Sequence, residues 1–433
     1  MKYVTSIFNW GMVKKVENAN KNDLYYISKN IVSPVLISYT LWLLKTAKSR
    51  GISTLYFLAR DGYVLREIAL QLSKKYDFDI DCRYLYCSRA ALRSASFHLA
   101  DQEGMNLLFY HSNHVTLSSL FQRMNMPFSL QEIFLNDWKI EDSELTRKLS
   151  SADLEYYKEK FRNHPQFQSY ITEWSRSTYT NTINYFHQEE LFNQPIVAIV
   201  DSGWSGTIQR GLRQLLISDG YKGKIIGFYF GLYQEPKPED GEYLPWFFSK
   251  KEHLKNKLLF NNVLFECMLS APHGMTITYK FNGQAYEPVQ TTHPSNGMLE
   301  KIAIQIQGIL DGVTDFLTTS QNAKHSIAAN NHLCRLMTFP HKKEVEAYND
   351  FIFCDDITES RFTKLAADNQ RIYLKDCLLS RRLWRKFTHQ SKDIFVPFWL
   401  YGILAYEPSL VKREWYRFNF LVYDLINLIL NRT

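Results

Sequence analysis

Residues 195–212 read PIVAIVDSGWSGTIQRGL. An apolar run, Ile196 to Val200, ends in Asp201 and passes into Ser202, Gly203, Trp204, Ser205, Gly206 and Thr207 before a helical pattern begins. This is chemistry suited to a phosphate. Glycine lets the backbone approach an anion closely, hydroxyls donate hydrogen bonds, and the first N–H groups of a helix favour negative charge. Asp201 cannot itself hold a phosphate. It suits ribose hydroxyls, the water shell of Mg²⁺ or a proton in transit. A plain strand-to-helix turn needs one capping residue, whereas Ser202, Gly203, Ser205, Gly206 and Thr207 all stand here.

Three further stretches carry similar potential. In FLARDGYV, Arg60 stands beside an Asp61-Gly62 turn, where a guanidinium fork matches a pyrophosphate; a surface arginine in an ordinary turn is the plainer alternative. In YCSRAALRS, Ser88 precedes Arg89 and Arg93, which share a face if the segment is helical. That pair suits a diphosphate, and equally a solvated basic face. In LFECMLSAPHGMTITY (264–279), Glu266 sits among apolar residues and His273 follows a proline. A buried glutamate has either a partner or a task, and the sequence leaves both readings open.

The elements that must position these residues follow from local pattern. ISTLYFLA (52–59) reads as a buried strand, YVLREIALQLSKKY as a helix and DIDCRYLYCS (79–88) as a second strand, which makes a βαβ unit. Strand 195–200, helix 205–217 and strand KIIGFYFGLY (224–233) make another, followed by a loop, QEPKPEDGEYLP. Residues 24–49 read as helix broken near Pro34. The expected architecture is α/β: a Rossmann-like, mainly parallel sheet with a helical insertion and a helical C-terminal region. Residues 1–100 and 193–290 form the two halves of the sheet domain, 101–192 the insertion and 291–433 the C-terminal region. Ligands of such sheets sit at the carboxyl ends of the strands, where the ends near Asp61, Arg89 and Asp201 would converge.

Composition narrows the function classes. The chain has 433 residues, 45% of them hydrophobic and 15% aromatic, enough for a large core and against disorder. Its six cysteines form no CxxC pair, so neither a zinc ribbon nor a thioredoxin site is expected, and their scatter suits a reducing cytoplasm. MKYVTSIFNWGMVKK lacks a small-residue cleavage site. The apolar runs PVLISYTLWLL and IFVPFWLYGILAY fall short of the ~20 residues needed to span a bilayer. A net charge of +7 suits anionic ligands or lipid surfaces, without the dense basic stripe of a nucleic-acid binder. Between 381 and 417, Arg381, Arg382, Arg385, Lys386, Lys392, Lys412, Arg413 and Arg417 alternate with Trp384, Phe395, Trp399, Tyr401 and Trp415. This is a pattern for peripheral contact with the inner face of a membrane, or for a packed helical domain with a solvated basic face. GxGxxG, GxxxxGK[ST] and GxSxG are absent. His111 and His114 form an isolated HxxH, and the other histidines are scattered, so a zinc site is not expected.

YFLARDG, YCSRAALR and VDSGWSGTIQ, in that order, resemble the ribofuranosyltransferase modules of bacterial capsule and O-antigen synthesis that use phosphoribosyl pyrophosphate (PRPP). These are relatives of type I phosphoribosyltransferases. The apolar helix at 31–45 and the E…APHG stretch are similar too, and the resemblance covers roughly residues 25–280. It departs from the usual phosphoribosyltransferase loop, which has two acids before TTGGT-like residues: Ser202 replaces the second acid and GWSGT is shorter. The resemblance implies a phosphoribosyltransferase-like fold and transfer of 5-phosphoribosyl from PRPP to a glycan hydroxyl, with loss of pyrophosphate. Mg²⁺ is the implied cofactor, with ligands not assignable from the sequence, and the implied acceptor is a soluble or lipid-linked glycan. Arg60, Asp61 and Gly62 match the pyrophosphate side, Ser88, Arg89 and Arg93 the second strand end, and Asp201, Ser202, Gly203, Trp204, Ser205, Gly206 and Thr207 the ribose-5-phosphate loop. Glu266 and His273 match a motif of unassigned role. Asp61 or Asp201 would be the catalytic carboxylate. No nucleic-acid partner is expected. Such modules are often joined to, or encoded beside, a phosphatase of the haloacid-dehalogenase type. This chain could itself be read as such a phosphatase, or as a non-catalytic scaffold of a polysaccharide locus. Aligned on Asp61-Gly62, however, the nucleophilic aspartate of a DxDGT loop falls on Ala59, on which no aspartyl-phosphate can form.

Overall fold

The computed structural model describes residues 22–99, 105–106, 108–109, 115–292, 295–319, 326–354, 362–388 and 396–430. The MKYVTSIFNWGMVKK stretch and the His111/His114 pair lie outside the described residues.

Five strands form one all-parallel sheet in the order β2-β1-β3-β4-β5: β1 Thr54–Leu58, β2 Asp81–Leu85, β3 Ile196–Trp204, β4 Lys224–Leu232 and β5 Glu242–Phe248. β1 is buried at every position because strands flank both its edges and helices cover both its faces. A strand covered on both faces reads as an unbroken apolar run, as TLYFL does. The chain enters at β1, steps outward to β2, then returns past β1 to begin β3 on its other side. β1 and β3 therefore meet where the winding reverses, and their carboxyl ends open the crevice in which α/β sheets bind ligands.

Two apolar layers hold the sheet. On one face Leu55, Phe57, Ala198, Val200 and Phe228 pack against α2 (Ser33–Ser49), α3 (Gly62–Tyr76) and the helices Asn296–Thr318 and Ser326–Thr338. On the other, Tyr56, Leu58, Val197 and Ile199 pack against α4 (Arg89–Ser96), helix Thr207–Ser218 and the end of helix Pro165–Gln188. The even and odd residues of β3 thus divide between the two cores, as strand alternation requires. The helices between β2 and β3 build a third core around Phe121, Phe134 and Phe161. Helix Pro165–Gln188 belongs to two cores, with Phe167 and Ile171 in the insertion and Ile183 and Phe186 against the sheet.

Several local expectations change. Residues 24–49 do not break at Pro34. α1 (Asp23–Ile27), a π-helical turn (Ser28–Val32) and α2 run on continuously, and the irregular turn falls just before the proline. This span, Asp23–Ser49, is long and apolar enough to cross a membrane, but 67% of its most apolar window is buried within the fold. The strand read as 195–200 continues to Trp204, because Asp201, Gly203 and Trp204 still pair with Tyr229, Gly231 and Leu232 of β4. The helix after it starts at Thr207 instead of Ser205. QEPKPEDGEYLP is not loop throughout: from Glu242 it is β5, an edge strand that accommodates Pro245. An antiparallel hairpin, β6 (Thr276–Phe281) and β7 (Tyr286–Gln290), turns at Asn282-Gly283. In the C-terminal region a short ribbon, β8 (Ile352–Phe353) with β9 (Thr363–Lys364), interrupts the helices.

Candidate active site at the β1–β3 crevice

Asp61 ends the turn after β1, and Ser202 lies near the end of β3. The Ser202 hydroxyl donates to Asp61 Oδ2, bridging the crevice. Gly62 starts α3 immediately behind. A Cβ there would lie 2.7 Å from the Phe57 carbonyl carbon, so the close packing of α3 on β1 requires Gly62.

Three carboxyl groups interact across this crevice. Burial is the first cause that raises the Asp61 carboxyl above the usual range, opposed by the Ser202 hydrogen bond and the charges of Arg60 and Arg89. Burial, then the charge of Asp61, pushes Asp201 up to about 8, again against Arg89. Burial, then Asp61, pushes Glu266 up to about 7, with Arg89, the Trp204 indole and Arg60 opposing. Carboxylates crowded in a low-dielectric setting hold protons that isolated ones release. Burial and mutual repulsion therefore favour the protonated form at all three acids.

Each acid has a support. Asn261 caps the helix Asn262–Met268, its side chain accepting from the Leu264 amide at 2.8 Å, and this short helix presents Glu266. Trp204 Nε1 donates to Glu266 Oε1 at 2.6 Å. The Trp204 ring packs among Tyr233, Phe248, Phe260 and Phe265, which fixes the indole that holds Glu266. Tyr39, buried in α2, donates to the Phe228 carbonyl oxygen at 3.0 Å and lies 3.4 Å from that of Asp201, tying α2 to the strand ends.

Arg60 and Arg89 reach the acids from two strand ends, and both act electrostatically on Asp61 and Glu266. Arg93 stands one turn further along α4, away from its start. Ser88 has a structural task. Its oxygen accepts from the Ala91 amide at 3.1 Å, capping α4, and its hydroxyl donates to the Thr276 carbonyl, fastening the β6 strand. Ser205 and Gly206 lead into a helix of 12 residues that begins at Thr207 and that no side chain caps. Gly206 has φ +68°, and a Cβ there would lie 2.4 Å from Tyr243 Cε1. Gly203 has φ +113°, and a Cβ there would lie 2.3 Å from the Gly231 carbonyl oxygen. Both glycines are demanded by backbone and packing, whatever the crevice binds.

His273 is buried beside the ends of β1 and β2. Its Nδ1 lies 2.9 Å from the Gly274 carbonyl oxygen and 3.1 Å from Gln290 Nε2, and its Nε2 lies 2.7 Å from the Tyr84 hydroxyl. Tyr63, Tyr84 and Tyr86 pack around the imidazole. Tyr39 and Tyr84 had no signal in the sequence. Each is one aromatic residue in an apolar element, and only the fold brings it to the strand ends.

Among the described residues, no group of three or more His, Cys, Asp or Glu is arranged to hold a metal ion. One oxygen of Asp61 and one of Glu266 are engaged, by Ser202 and Trp204. No family model matches the sequence, and no curated protein matches it significantly.

Proposed function

We propose that this chain transfers a 5-phosphoribosyl group from PRPP to a hydroxyl of a glycan acceptor in surface polysaccharide synthesis, releasing pyrophosphate. The observation that supports this reading most is the pairing of Asp61 with Ser202 across the point where the sheet winding reverses, with Arg60, Arg89 and an uncapped helix start around it. The resemblance of YFLARDG, YCSRAALR and VDSGWSGTIQ to PRPP-dependent ribofuranosyltransferase modules supports the donor, and the sheet is compatible with the phosphoribosyltransferase-like fold which that resemblance implies.

In this reading the acceptor oxygen bonds to C1 of the ribose as the bond from C1 to the pyrophosphate oxygen breaks. PRPP is the α anomer, so direct displacement yields a β-ribofuranoside that retains its 5-phosphate. Arg60 and Arg89 stabilise charge that grows on the leaving diphosphate. The amides of Ser205 to Thr207 hold the 5-phosphate. Asp61 receives the acceptor proton, and Asp201, protonated, orients the ribose by hydrogen bonding. Mg²⁺ belongs to this reading only as a counter-ion of the diphosphate. A separate phosphatase of the haloacid-dehalogenase type removes the 5-phosphate, since Ala59 stands where its nucleophile would be.

The reading sets the chain in the cytoplasm, at the inner face of the membrane. Trp415 and Phe418, 52% and 66% exposed on helix Leu410–Leu430 beside Lys412 and Arg413, support the membrane contact. Trp384 of that sequence pattern is 55% exposed as well, while two other members are turned inward. Trp399 is fully buried, its indole donating to the Met337 carbonyl at 2.8 Å, and Arg417 is buried against Glu414 and Phe339. Lys392, Phe395 and the side chains of Arg385 and Lys386 lie outside the described residues. Calorimetric titration with PRPP tests the donor: binding to the parent, weakened in Arg60→Ala and Arg89→Ala, is expected, and no binding to the parent refutes it.

A further inference from the structure

A cavity of about 280 Å³ opens directly from the acids. Arg60, Asp61 and Glu266 form one end, and Met298, Phe353 and Phe362 line the rest. None of its lining residues comes from the helical insertion, which packs its own core elsewhere. The far wall is the β8–β9 ribbon, where Phe353 pairs with Thr363, next to Phe362. The ribbon is anchored in the C-terminal core: Phe353 packs edge-on against Phe398 at 5.1 Å, and the Trp399 amide donates to the Leu365 carbonyl at 3.0 Å.

We infer that this cavity is the acceptor subsite and that it takes a neutral pyranoside, apolar ring face against Phe362 and Phe353, with a hydroxyl directed at Asp61 and Glu266. The inference rests on the donor reading above. Among the described residues, Arg60 is the one cation lining the cavity, and it stands at the end that also holds both acids. An anionic ligand would meet those carboxylates, and a purely apolar one would leave them unsatisfied. A polyhydroxylated ring answers both ends of the cavity, because its C–H face stacks on aromatic carbon while its hydroxyls donate to carboxylate. The volume lies at the small end for ligand pockets, where the range starts at about 300 Å³, so it suits a terminal ring rather than an extended chain. Phe362 is 48% exposed despite its size, which a stacking platform explains and a core residue does not.

The test uses Phe362→Ala and Phe362→Trp, both at a half-exposed position. Methyl and phenyl glycosides of glucose, galactose, mannose and N-acetylglucosamine serve as probes. Pyrophosphate release should show KM for the responding glycoside raised about tenfold in Phe362→Ala, the equivalent of a stacking contact worth ~1.4 kcal/mol. The rate constant and PRPP affinity should stay within twofold, and Phe362→Trp should recover the parent KM. An unchanged KM in Phe362→Ala, or a loss of PRPP affinity in its place, overturns the inference. Saturation-transfer NMR with the same glycosides needs no donor and separates the two readings. Glycoside contact abolished by Phe362→Ala in a protein that fails to bind PRPP would keep the cavity and refute the donor. PRPP binding with no glycoside contact would do the reverse.

Discussion

Ser202 and Asp61 are 141 positions apart in the chain, yet the hydroxyl of one donates to the carboxylate of the other. The bond joins the strand ends on either side of the winding reversal and lowers the proton affinity of an acid that burial raises. Ser202→Ala removes a donor to the ionised form. The rising limb of the pH–rate profile should move to higher pH. The melting temperature should change little. A profile that stays in place would detach Asp61 from proton transfer.

Arg60→Ala should lower kcat by roughly 10- to 100-fold, the range for a lost charge-assisted hydrogen bond, and change acceptor KM by less than it changes kcat. Arg60→Lys should recover only part, because an ammonium lacks the planar fork. Pyrophosphate-release kinetics decide the matter, and a parental rate in Arg60→Ala removes Arg60 from the site.

Asp201 offers a test that needs no substrate. Its carboxyl is raised to about 8 when folded, against 3.8 ordinarily. Below the ordinary value both folded and unfolded chains are protonated, and the group is neutral to stability. Between the two values the unfolded chain releases the proton and the folded one keeps it, so stability falls as pH rises. Asp201→Asn should therefore melt higher than the parent at pH 8, by roughly a few degrees, and the gap should close toward pH 4. A gap independent of pH, measured by thermal denaturation, would contradict the placement of Asp201 as a buried neutral acid.

The membrane contact depends on surface residues. Flotation with anionic liposomes at low salt should carry the parent chain upward. Trp415→Ser with Phe418→Ser should abolish this without altering the melting temperature, since both side chains are more than half exposed. Equal flotation of parent and variant, or none of the parent, removes this face from the account.

β1, β3 and β4 were legible because strands buried on both faces make short apolar runs between turns, and the edge strand β2 was legible beside them. β5 was not, since Pro245 and the preceding proline-rich segment read as loop, and only an edge strand with one neighbour tolerates them. The hairpin at Asn282-Gly283 carried a turn signal that the helical pattern downstream overshadowed. Arg60, Asp61, Arg89, Asp201 and Glu266 were each found from local types, and the fold places them around one crevice. Their supports were not legible. The Glu266 that Trp204 holds is 62 positions away, and the carbonyl that Ser88 meets lies on a strand that begins at Thr276. Glycine meant close approach in both readings, but what approaches Gly206 is Tyr243, a contact set by tertiary packing.

The most direct test of the central claim is the mass of what the purified chain makes from PRPP, Mg²⁺ and the glycoside panel, with pyrophosphate assayed alongside. The account predicts stoichiometric pyrophosphate and a glycoside that gains one ribosyl unit still carrying one phosphate, because Ala59 leaves this chain without an aspartyl nucleophile. A dephosphorylated adduct, with contaminating phosphatase excluded, or inorganic phosphate released without any adduct, would contradict it.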